Sequence, residues 1–182
     1  DGCNSDEHRV EAECLIVPVH SGGMFDSSSA GLGKRVAALK RLEALASEIR
    51  VPVMITLTID RKRFAGPEAG YRKAMPLVSE LFRELGIVVW FRSTEVQTQS
   101  GEGWLHWHVV AELGGTRWET KRGWVDVKAL NRALWSLWLH RWEIGAPQTE
   151  LLRSARGAVG YAAKYVLKGW KFIPAWMGES TQ

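Results

Sequence analysis

The stretch Leu105-His106-Trp107-His108-Val109-Val110-Ala111-Glu112-Leu113 decides the fold. It is short, rich in β-branched and aromatic residues, and free of glycine and proline. That is the composition of a strand in a packed sheet. Ile87 to Val96 (IVVWFRSTEV) reads the same way, and polar, glycine-bearing Gln97 to Gly103 joins the two. An antiparallel hairpin is expected.

Working outward, Val53 to Ile59 (VMITLTI) is another β-branched strand, and Glu68 to Leu85 is a helix stopped by Gly86. Val36 to Ile49 has apolar residues at helical spacing and ends before Pro52. Downstream, Trp124 to Val127 predicts a short strand. Leu130 to Trp142 predicts a helix with Trp135, Trp138 and Trp142 at core spacing, and Ser154 to Leu167 a last helix. This order predicts an α+β fold, an antiparallel sheet with flanking helices. Ser21 to Gly33 is Gly/Ser-rich, so residues 1–33 are expected to be an extension and linker, and 34–182 the domain.

A chain of 182 residues suits one domain with a sizeable core. Its apolar share of 46% and charged share of 24% are globular, and no run approaches the roughly 20 apolar residues that cross a bilayer. No membrane partner is expected. The first residues are polar and acidic, unlike a signal peptide, and the chain begins at Asp1, as a domain excised from a longer protein would. Two cysteines, Cys3 and Cys14, are too few for a disulfide scaffold, so a reducing, cytoplasmic setting is expected. With His8 and His20 they are too irregularly spaced to predict a zinc site. Net charge of +4 permits a polyanionic partner without requiring one. Gly31-Leu32-Gly33-Lys34 lacks the glycine spacing and following Ser/Thr of a phosphate loop, so no nucleotide-hydrolysis module is expected.

Two features carry chemistry. On a strand, residues two apart face the same way, so His106 and His108 can converge on one cation. Glu95 on the partner strand is the first candidate for a third ligand and Gln97 the alternative. Such a set suits Mn²⁺ or another divalent ion with open positions. On the last helix, Tyr161, Lys164, Tyr165 and Lys168 share one face, opposite Val159, Ala162, Ala163 and Val166. A phenol of pKa about 10 is a poor nucleophile at neutral pH, and a nearby ammonium favours its phenolate. Arg117, Trp118, Lys121 and Arg122 mix cations with indoles, as a DNA-contacting hairpin does, or as a solvated turn with its tryptophans folded inward. Lys168, Trp170 and Lys171 follow the tyrosines and are placed to grip a strand.

These pieces occur in a recognisable order. Met54 to Asp60 (MITLTID) resembles the first motif of the HUH endonucleases, the rolling-circle replication initiators. Thr94-Glu95-Val96 and Gly103 to His108 (GWLHWH) resemble the second, and Tyr161-Ala162-Ala163-Lys164-Tyr165 the YxxKY third. The resemblance implies a ferredoxin- or RRM-like core. It implies Mg²⁺ or Mn²⁺ held by His106, His108 and an acidic or amide residue. Tyr161 and Tyr165 would be nucleophiles, with Lys164 their electrostatic helper. The implied partners are single-stranded DNA at an origin hairpin and a host helicase. The implied activity is nicking and joining through a 5′-phosphotyrosine, for replication, transposition or mobilisation. A non-catalytic single-strand-binding module is the reading from a different class.

Overall fold

A computed structural model describes residues 50–97, 103–113, 118 and 125–168, with scattered positions between 33 and 44; for residues 90, 162 and 165–168 only the backbone is described. Val36, Ala37, Lys40, Arg41, Glu43 and Ala44, all within the expected first helix, are helical. The remaining elements are β1 (Pro52–Thr58), α1 (Pro67–Leu85), β2 (Val88–Gln97), β3 (Trp104–Glu112), α2 (Val127–Leu134), β4 (Pro147–Leu151) and α3 (Ala155–Lys168). The helix α2 runs on without a break as a π-helical segment, Trp135–Arg141.

The fold is α+β. Its four strands lie in the order β2-β3-β1-β4, and each neighbouring pair is antiparallel. From β1 to β4 this is the split β-α-β arrangement, in which each crossover helix spans an intervening strand. The pleat sorts the side chains. Val53, Ile55 and Leu57 of β1 and Trp107, Val109 and Ala111 of β3 are fully buried, and they form one core with Ala74, Val78 and Leu81 of α1 and Leu130, Leu134 and Trp138 of α2 and its continuation. Trp107 stacks near Tyr71 at 6.3 Å and meets Trp138 edge-on at 6.0 Å. The opposite face carries Met54 and Thr56 beside His106, His108 and Val110. On that face Tyr161 of α3 lies near His108.

A β-bulge makes this sorting possible. The β2–β3 register slips between Val89 and Phe91. Val89 opposite Ala111 and Arg92 opposite Val109 are therefore both on the helix side although three residues apart. Beyond the bulge Glu95 falls opposite His106. With strict alternation Val89 and Glu95 would share a face.

One strand was missed and two expectations need correction. The strand β4 was not legible: Pro147-Gln148-Thr149-Glu150-Leu151 has no apolar alternation and opens with proline, which a sheet tolerates at an edge. Of the strand expected at Trp124 to Val127, the described residues, 125–127, do not form one. Val125 makes a single bridge, and the Asp126 side chain accepts from Ala129 N at 2.8 Å, capping a helix that starts at Val127. Trp135 is not core but 40% exposed, while Trp138 is fully buried and Trp142 packs at the core margin. The π turn, closed by Trp142 N donating to Leu137 O at 2.9 Å, changes the angular spacing on which the α-helical reading relied.

Gly145 holds the end of the π segment against β1. Asp60 N donates to Ile144 O at 2.8 Å, and a Cβ on Gly145 would collide with the Thr58 carbonyl oxygen. Backbone cannot yield as a side-chain tip does. Gly145→Ala is expected to destabilise the domain by about 1–3 kcal/mol, read as a lowered urea midpoint at unchanged slope.

Candidate metal centre

Three strands bring the site together. Thr56 of β1 pairs with His108 of β3, which pairs with Ser93 of β2; one step along, Thr58, His106 and Glu95 form the next row. The Nε2 atoms of His106 and His108 both point at one oxygen of Glu95, Oε2, at 3.1 and 3.2 Å. The imidazoles meet edge-to-face with centroids 4.6 Å apart. One ligand atom from each of the three residues lies within 4.8 Å of the others. Both histidines are 8% exposed, so the group is nearly dry on its protein side.

This donor set fits a divalent cation. Two neutral imidazoles supply borderline nitrogen donors and the carboxylate supplies charge, while three protein ligands leave coordination positions open. Thr56 Oγ1 lies 3.2 Å from His108 Nδ1. Its hydroxyl can accept from an Nδ1–H, the tautomer that leaves the Nε2 lone pair for a metal, or donate to a bare Nδ1 when Nε2–H faces Glu95. Thr56 was not singled out in the sequence. The signal was available: it alternates with the buried Ile55 and Leu57, so it must face the other way.

Gln97 is not in the group. Its Oε1 accepts from the Arg61 guanidinium at 2.6 Å, so the two candidates for third ligand divide, Glu95 to the histidines and Gln97 to Arg61. Arg61 was also missed, because a cation in a polar turn after a strand looks like ordinary solvated surface. Tyr161 stands at the side of the site, half-buried, with its ring centroid 6.4 Å from that of His108. Lys164 is exposed, with Nζ 5.8 Å from the centre of the Tyr161 ring. Ala158, one turn before Tyr161, is fully buried and Val159 nearly so. Tyr161 therefore sits at the seam between the packing stripe and the exposed face, not opposite the stripe.

Trp118 is a core residue, 6% exposed, and offers no open ring face to a base. Of the two readings of its loop, the inward-folded one describes this indole. Arg117, Lys121, Arg122, Lys171 and Trp170, with Cys3, His8, Cys14 and His20, lie outside the described residues, as do the side chains of Tyr165 and Lys168. No family model, curated protein or solved structure matches the chain.

Burial first, and then His106, pull His108 down from 6.5 to about 4, with Lys164 adding to the fall and Glu95 opposing it. Neutral imidazole is the metal-binding form, and His108 keeps it well below neutrality. In the unfolded chain His108 takes up its proton near 6.5. Its contribution to stability is thus complete above that pH and is lost as pH falls towards the folded value. Urea midpoints should drop more steeply between pH 6.5 and 4 in the wild type than in His108→Gln. Added Mn²⁺ should raise the melting temperature, by the equivalent of about 2.7 kcal/mol at a hundredfold excess over its dissociation constant. That shift should vanish in Glu95→Ala and His106→Ala and persist in Gln97→Ala.

Proposed function

We propose that this chain is a metal-dependent enzyme that nicks and joins single-stranded DNA through a tyrosine, in the manner of the HUH rolling-circle initiators it resembles. One observation carries the reading: a half-buried phenol and an ammonium stand beside a two-histidine, one-carboxylate group on the same sheet face. A divalent ion held by His106, His108 and Glu95, Mn²⁺ or Mg²⁺, would polarise the scissile phosphate. Lys164, its Nζ 5.8 Å from the centre of the Tyr161 ring, would neutralise charge developing on the phosphate oxygens. The phenolic oxygen bonds to phosphorus and its proton passes to water. The phosphorus–O3′ bond breaks, and the leaving oxygen takes up a proton to become a 3′ hydroxyl. The 5′ phosphate stays esterified to the tyrosine. Joining is the reverse, with an incoming 3′ hydroxyl as nucleophile.

The rival reading, a binding module of RNA-recognition type, needs exposed aromatic rings on the central strands. Here the facing positions of β1 and β3 are Met54, Thr56, Thr58, His106, His108 and Val110, and Trp104 at the start of β3 is 5% exposed and packed in the core. That favours the catalytic reading. The sheet topology suits both.

Incubation with a radiolabelled pool of random single strands and Mn²⁺ should yield a protein–DNA adduct that survives a denaturing gel. Tyr161→Phe and His108→Ala should reduce it to background. Tyr165→Phe should still cut but rejoin more slowly, if the second phenol serves the second transesterification. Binding without adduct under any divalent ion would favour the non-catalytic module.

A further inference from the structure

An open cavity of about 600 Å³ begins at the site and does not end there. His108, Tyr161 and Thr56 line one end, and Asn131 and Trp135 belong to the helix on the other side of the sheet. Both Gln148 and Thr149 of β4 line it, although adjacent strand residues face opposite ways. The cavity therefore wraps the free edge of the sheet.

Its far end has the chemistry of a recognition pocket. Trp135 is 40% exposed, a large indole that the core has not taken. It sits where the chain switches to π geometry, an arrangement frequent at functional sites. Asn131 Oδ1 and Thr149 Oγ1 are buried and have no hydrogen-bond partner. A buried acceptor left unmatched costs about 1–3 kcal/mol, so its natural complement is a donor that arrives with a ligand. Among the described residues neither lysine nor arginine lines this cavity, while Glu150 does. A phosphate gains nothing there. A flat ring with N–H on its edge gains a stacking surface, the Asn131 amide oxygen as an acceptor, and the Thr149 hydroxyl, which can accept as well as donate.

We propose that this end of the cavity is a nucleobase pocket. Trp135 stacks on one unpaired base of the bound strand, and Asn131 with Thr149 accepts from the amino group of an adenine or cytosine. It rests on the reading of the chain as a single-strand enzyme and deepens it, assigning base selection to residues remote from the metal ligands. The cavity joins the two, so a strand whose phosphate lies by Tyr161 can turn over the edge at β4 and place a neighbouring base against Trp135.

The test is fluorescence anisotropy with labelled dA, dC and dT decamers in EDTA, so that no cutting occurs, on the full chain. Wild-type protein should prefer dA and dC over dT. Trp135→Ala should weaken dA and dC binding roughly tenfold, with Trp135→Phe restoring most of it. Asn131→Ala should erase the preference, bringing dA and dC binding down to the level of dT. Equal affinity of Trp135→Ala and wild type, or a base preference that survives in Asn131→Ala with Thr149→Val, would overturn the pocket. Melting curves of each variant exclude misfolding as the cause. Adduct formation is scored separately: a lost adduct with an intact Trp135 effect defeats the nicking reading alone, and a normal adduct with no Trp135 effect defeats the pocket alone.

Discussion

Everything at the site depends on the antiparallel pairing of β3 with both its neighbours. Thr56, His108 and Ser93 form one row and Thr58, His106 and Glu95 the next. Hydrogen-bonded strands hold such rows at fixed separation, so the ligand atoms meet without any long side chain having to reach. A metal-binding group built this way is preorganised by backbone, and the ordering cost is met when the sheet forms rather than when an ion arrives.

The same strand explains why the histidines cannot turn aside. Trp107 between them is fully buried, stacked near Tyr71 and edge-on to Trp138. Trp138 is fixed in turn by donating its ring N–H to the Thr58 carbonyl at 2.8 Å. Rotating β3 to release either imidazole would pull the largest side chain of the core into water. Packing on one side of the sheet thus enforces the geometry of polar groups on the other.

Much of this was legible before any coordinates. The β-branched runs and glycine stops located β1, β2, β3 and α1 closely, and the two-residue period put His106 and His108 on one side. Glu95 as their companion followed from the hairpin. What escaped was set by tertiary context. The strand β4 has no apolar pattern because it is an edge. Trp135 carries the same indole as Trp138, and only a change of helical pitch separates an exposed ring from a buried one. Gln97 was drawn aside by Arg61, a residue of the turn after β1.

The extra residue in β2 has a further consequence. A strand counts by parity, and the bulge between Val89 and Phe91 is an odd number inserted into that count. That odd count is what puts Val89 on the hydrophobic side and Glu95 on the ligand side, so a change of one residue between them turns one of the two to the wrong face. A one-residue insertion or deletion between Val89 and Glu95 would need a second bulge to keep the carboxylate beside the histidines.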